Sequence, residues 1–341
     1  MGVNKAIEGL SELSSLDSAA SQSQAGATAE SLSQIQTCLA EISDVVRGHS
    51  SAIQVLMATV LARGHTLIED VPGVGKTTLA RAMAKALGCQ FSRVQFTADL
   101  LPSDVVGGQV LSPQTGELRF RPGPVFAHMV LADELNRASP KTQSALLEAM
   151  SDRQVTIDET TYALENPFCV LATQNPVEHH GAYPLPESQL DRFLTCVHLG
   201  YPGKDEERAL IQAYREPNAA IDAMTPRMTS AELVRTQEQV TQVKMGDDVT
   251  NYLLDVVAAT RAHDEIALGC SPRGALGWAQ LARAFAFLSA RDFVIPDDIQ
   301  YLAPFVLVHR LSVHGAGQGM PSRTRAQAIV QEILSQIPLP R

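Results

Sequence analysis

The chain has 341 residues, 45% of them hydrophobic, and a formal net charge of −10. That length suffices for a large α/β core with a smaller second domain, and the acidic balance argues against a protein whose main task is gripping a nucleic-acid backbone. No apolar run reaches the roughly 20 residues that span a bilayer, no basic segment precedes an apolar one at the N-terminus, and the five cysteines stand singly, with no C-x-x-C pair and no histidine at metal spacing. A reduced, cytoplasmic protein without membrane insertion is therefore expected.

Residues 1–34 include a Ser-, Ala- and Gln-rich stretch from Ser11 to Gln34; such composition predicts a disordered arm, with at most a nascent helix. From Ile35 apolar residues recur at helical spacing, through IQTCLAEISDVV and again through AIQVLMATVLARG, where Gly64 is the expected stop. Strand-like and helical runs then alternate. HTLIE, FSRVQF, HMVLAD, FCVLAT and LTCVHL read as short strands apolar on both faces, with TTLARAMAKALG and KTQSALLEAM as helices between them. That pattern predicts a parallel sheet covered by helices, spanning residues 35–202. Beyond Gly203 nearly every segment reads as a helix with a cap or proline near its start, so residues 203–341 are expected to form a small helical domain. The segment Ser112–Pro124 reads as a hairpin turning at Thr115–Gly116, with Leu118 and Phe120 alternating. His179–His180 lack carboxylates at ligand spacing and read as surface residues.

IEDVPGVGKTTLARAMA places Gly73, Gly75, Lys76 and Thr77 between a predicted strand and a predicted helix, the context a phosphate-binding loop requires. The loop's backbone amides and the helix N-terminus would meet phosphate, Lys76 would reach the β and γ oxygens, and the Thr77 hydroxyl would ligate Mg²⁺. The nucleotide-binding set is thus Pro72, Gly73, Val74, Gly75, Lys76, Thr77 and Thr78. Asp70 stands where the motif's first glycine is usual, and Asp tolerates turn conformations well. The strand HMVLAD ends in Asp133–Glu134, with Asp133 assigned to the metal and Glu134 to the attacking water; acids at a helix start are the plainer alternative. Asn175, ending VLATQNP, either contacts that water or γ-phosphate or makes turn contacts before Pro176. Ser271 and Pro272 form a helix N-cap and first-turn pair.

Together, EDVPGVGKT, LADELNRASPKTQSALLEAM, VLATQNPVEHHGAYPLPESQLDRF and SPRGALGWAQLARAFAFL resemble the MoxR family of AAA+ ATPases from about Ile35 to the C-terminus. The resemblance implies an AAA+ αβα core followed by a helical lid, with ATP and Mg²⁺ as cofactors. It implies a ring, usually hexameric, in which Arg192 of LDRF serves as the finger reaching the neighbouring subunit's γ-phosphate, with an ion pair to Asp191 as the alternative. Arg273 of SPRG matches the second sensor arginine. In VVRG, Val46 and Gly48 match the segment near adenine, with core packing an equal explanation for the valines, and the hairpin's relatives face the ring pore or a partner. Chaperone-like maturation of partner complexes, or metal-cofactor insertion, is implied, together with a partner bearing a von Willebrand factor A domain. The remaining alternatives are a magnesium-chelatase motor subunit, a DNA-processing motor, and a scaffold that binds ATP without hydrolysis.

Overall fold

The computed structural model describes residues 26–114, 116–175, 182–213, 219–315 and 320–340. The expectations for residues 1–25, Thr115, Pro176, His179 and His180 lie outside the described residues.

Helices α1 (26–45) and α2 (Ser50–Leu61) lead into strand β1 (Thr66–Glu69) and helix α3 (Lys76–Ala86). Next come β2 (Phe91–Gln95), the one-turn α4 (Pro102–Val106) and a hairpin of β3 (Gly107–Leu111) with β4 (Leu118–Pro122). β5 (Met129–Asp133) and α5 (Pro140–Asp152) are followed by a second hairpin, β6 (Gln154–Ile157) with β7 (Thr160–Ala163), then β8 (Cys169–Gln174), α6 (Glu187–Leu190) and β9 (Thr195–Val197). The rest is helical: α7 (Lys204–Ala213), α8 (Ala219–Ala223), α9 (Ser230–Thr241), α10 (Asp247–Ala262), α11 (Pro272–Leu288), α12 (Pro296–Leu307) and α13 (Met320–Gln336). Two short antiparallel strands, β10 (Ile266–Leu268) and β11 (Ser312–Val313), interrupt it.

The central sheet runs β2-β5-β8-β1-β9, and every pairing in it is parallel. Except at the edge strand β2, its strands are buried on both faces, with successive side chains pointing to opposite sides. Met129, Leu131, Cys169, Leu171 and Ile68 enter one core with α1–α3 and the C-terminal helices. Val130, Ala132, Val170, Ala172 and Leu67 enter the other, with α5 and the segments around the hairpins. The first core runs without a break from α1 into α12 and α13. Among the described residues no helix is long and apolar enough to cross a membrane.

Two expectations need correction. Residues 26–34, placed in the arm, are the first turns of α1; the polar composition there is offset by Leu32 and Ile35, which pack against the core. The first hairpin spans 107–122 rather than 112–124, because its first strand is the segment GGQVL and Ser112 already belongs to the turn. Helix α2 stops just before Gly64, whose amide donates to the Thr59 carbonyl at 2.8 Å, and the left-handed residue there is Arg63 (φ 57°). Gly64 is needed for space instead, since a Cβ there would sit 2.4 Å from the Leu194 side chain.

Candidate active site

In open α/β sheets ligands bind beyond the carboxyl ends of the strands. Here β5, β8 and β1 are adjacent in the sheet, so Asp133 and Glu134, Asn175, and the loop 70–75 come to one edge. The loop turns through two residues in left-handed backbone, Gly73 and Gly75, both with φ 89°. Either position strains any L side chain, and no atom lies within 4 Å of a Cβ built there. They therefore border open space in front of α3. Gly75 is the N-cap of that helix and leaves its N-terminus without a side-chain cap. An uncapped helix start facing an open glycine turn is an arrangement of unshared N–H groups suited to an anion.

Lys76 opens α3, and its Nζ donates to the Asp70 carbonyl oxygen at 2.9 Å. Burial pushes its ammonium pKa down, while Asp133, Asp70 and Glu134 act in the opposite direction. Those three carboxylates favour the charged ammonium, whose hydrogen bond is to the Asp70 backbone. Thr77 and Thr78, in the same turn, are half-buried; Val74 is buried and Pro72 exposed.

Asp133 is buried, and both its oxygens are engaged. Oδ1 accepts from the Thr173 hydroxyl at 2.7 Å and Oδ2 from Arg93 Nη2 at 2.6 Å. Glu134 adopts left-handed backbone, φ 56° and ψ 47°, a conformation that costs a non-glycine residue roughly 1–2 kcal/mol. Its amide donates to Thr173 Oγ1 at 2.8 Å, and Oε2 accepts from Gln95 Nε2 at 2.7 Å and Arg137 Nη1 at 2.8 Å. Thr173 of β8 therefore fixes both Asp133, which ends β5, and the Glu134 backbone after it, and β2 supplies Arg93 and Gln95 from one face. Sequence reasoning missed all four of these supporting residues; the period-2 spacing of Arg93 and Gln95 puts them on one face of β2 but does not say which strand that face meets. Asn175 is buried directly after β8.

Arg192 lies apart from this edge. Its Nη1 donates to the Leu147 carbonyl and, at 2.7 Å, to Ser151 Oγ at the end of α5. The ion pair with Asp191 considered from sequence does not form. Asp191 instead accepts from Ser271 Oγ at 2.9 Å and Arg310 Nε at 3.0 Å. Ser271 caps α11 through the Gly274 amide, also at 2.9 Å, as its position before Pro272 predicts, and Arg273 is exposed in that helix's first turn. Val46 is buried. Gly48 has φ 82° and lies against Pro202, 3.4 Å from a Cβ built on it, so VVRG borders the connection leaving β9.

Glu69, Cys196 and His198 offer ligand atoms within 4.8 Å of one another, a grouping the cysteine spacing did not suggest. The Glu69 carboxylate, however, already accepts from Arg323 Nη2 at 3.0 Å and from Gln174 Nε2. The arginine supplies the positive charge that a metal would otherwise bring.

Residues 65–195 match the family described as ATPase family associated with various cellular activities (AAA), and residues 258–333 match the AAA lid domain. Chaperone MoxR1 of Mycobacterium tuberculosis is 37% identical, over 90% of this chain and 82% of its own length. Protein YeaC of Bacillus subtilis is 47% identical over 88% of this chain and 92% of its own. A crystal structure of a proposed ATPase from Cytophaga hutchinsonii superposes with a TM-score of 0.83 at 34% identity, covering 94% of this chain and 99% of that one.

Proposed function

This chain belongs to the MoxR family of AAA+ ATPases, and on that premise we propose that it is a ring-forming, Mg²⁺-dependent ATPase that remodels partner proteins. One observation carries the catalytic part: the open, uncapped glycine turn at α3 lies at the same sheet edge as the Asp133 carboxylate, held by Thr173, and the Glu134 carboxylate, held by Gln95 and Arg137. A phosphate chain at the turn would meet backbone N–H groups, the helix N-terminus and Lys76 together. Thr77, Thr78 and the loop from Pro72 through Gly75 line that position. Val46 and Gly48 border the adenine end.

The oxygen donors fit a small divalent cation, since Asp133 is a buried carboxylate whose charge a single half-exposed arginine now balances. Thr77 and Asp133 would hold Mg²⁺, which when bound neutralises charge on the β and γ oxygens. Glu134 orients and deprotonates the attacking water, and Asn175 hydrogen-bonds the water or the γ-phosphate. Arg273 serves as the sensor in the lid. We assign residues 35–202 to the nucleotide-binding core and 203–341 to the lid, with α1 beginning before that core.

Among the described residues Arg192 bonds Leu147 and Ser151 at the end of α5 and no residue of its own subunit's loop, so the reading gives it to the neighbouring subunit's nucleotide in a ring, most simply a hexamer. Arg192→Ala should bind ATP as the parent does and lose hydrolysis by about 10³-fold. Normal turnover in that variant would refute the assignment.

Family membership supports a chaperone-like role in maturing partner complexes or inserting metal cofactors, with a von Willebrand factor A domain protein as adaptor. The acidic net charge weighs against a DNA motor. The test is capture by the Glu134→Gln protein held with ATP, with Lys76→Ala as the unliganded control. Recovery of an A-domain protein with an associated enzyme complex supports the reading. Recovery of chelatase subunits or DNA-processing proteins contradicts it.

A further inference from the structure

Asp70 replaces the glycine with which a phosphate-binding loop ordinarily begins, and its side chain is 7% exposed. A carboxylate is stable at such a depth only when its oxygens are satisfied. Two of the three donors come from outside the loop. Oδ2 accepts from the amides of Leu199 at 2.6 Å and Gly200 at 2.8 Å, and Oδ1 from the Val71 amide at 3.0 Å. Leu199 and Gly200 lie between β9 and α7, where the chain leaves the sheet for the C-terminal helices.

The preceding residue is fastened in the same direction. Glu69 pairs with Arg323 of α13, which also donates to the Val308 carbonyl at the end of α12 at 3.1 Å. His198 Nδ1 lies 2.6 Å from the Glu69 carbonyl oxygen. The end of β1 is thus held both to the connecting segment and to the last helices of the chain. On its other side Asp70 offers its backbone carbonyl to Lys76 Nζ. The ammonium has three donors, so a bound phosphate would share it with that carbonyl and shift it, and occupancy of the loop is felt at Asp70.

We propose that Asp70 is a positioning residue that couples occupancy of the phosphate loop to the seating of the C-terminal helical domain, through the Leu199 and Gly200 amides. The inference rests on the nucleotide-binding reading above. A loop beginning with glycine would keep the carbonyl that Lys76 uses and lose both anchors on the connection, so binding and coupling are separable in this chain.

Hydrogen exchange on the full chain, with and without a slowly hydrolysed ATP analogue, tests it. In the parent, analogue should change exchange in residues 70–78 and in 198–203 together. In Asp70→Gly the loop should still respond, while 198–203 exchanges about tenfold faster and no longer responds. KM for ATP should stay within about threefold while kcat falls. Asp70→Asn keeps an oxygen for the two amides without the charge, so its response should be intermediate, and it carries the test if the glycine variant does not fold. A response at 198–203 equal to the parent's in either variant would overturn the coupling. No response at residues 70–78 in the parent would instead overturn the nucleotide-site reading, and the coupling with it.

Discussion

Glu134→Gln is expected to bind ATP as tightly as the parent and to turn it over at least about 10²-fold more slowly, the usual loss when a positioned general base is removed. The substitution is isosteric. The left-handed backbone at Glu134 is held by its amide on Thr173 and by the turn that follows, in which Arg137 N donates to the Glu134 carbonyl at 2.9 Å, so it does not depend on the carboxylate. The amide oxygen of glutamine still accepts from Gln95 and Arg137, whereas its nitrogen takes no proton from water. Lys76, Thr77 and the glycine turn are untouched, so affinity is preserved. Titration with a fluorescent ATP analogue, beside phosphate release from ATP, separates the two properties. Weakened binding with normal turnover per bound nucleotide would remove Glu134 from the water.

The largest loss of stability is expected from a residue far from the phosphate loop. Arg310 is 4% exposed. Its guanidinium bonds Asp191 Oδ1 at 3.0 Å, the Phe193 carbonyl at 2.5 Å, the Leu194 carbonyl at 3.0 Å and the Val306 carbonyl. Burial pushes its pKa down and the Asp191 carboxylate opposes that, which leaves an arginine charged. Arg310→Ala strands the half-buried Asp191 with only Ser271 as donor, removes a donor from three carbonyls and opens a cavity. Breaking a buried pair from one side costs about 3–5 kcal/mol. Denaturant unfolding should show that loss for Arg310→Ala and almost none for Arg325→Ala, whose pairing with Glu265 is at the surface. Equal small effects would mean that the network does not hold the LDRF segment to the C-terminal helices.

Most of the fold was legible because its strands are short, apolar on both faces and separated by capped helices. LDRF and SPRG were legible as motifs, but their meeting through Asp191, Ser271 and Arg310 was not, since a pairing 119 residues apart in sequence leaves no local periodicity. The small strands β6, β7, β10 and β11 alternate too briefly to separate from loops. Within the site, the glycine turn, Lys76, Asp133 and Glu134 could be read from spacing after predicted strands. Arg93, Gln95 and Thr173 could not, because their role depends on strand order, and β5 pairs with β2 on one side and β8 on the other. Asp70 was read as a tolerated departure from a motif. Its burial and its bonds to residues 199 and 200 make it part of the architecture.

The most direct measurement is phosphate release from ATP by the unmodified protein, with Mg²⁺ and with a chelator in excess, and with Lys76→Ala as the blank. Turnover that requires Mg²⁺ and disappears in Lys76→Ala is the predicted result. Turnover equal to that of the Lys76→Ala protein at every Mg²⁺ concentration would contradict the account.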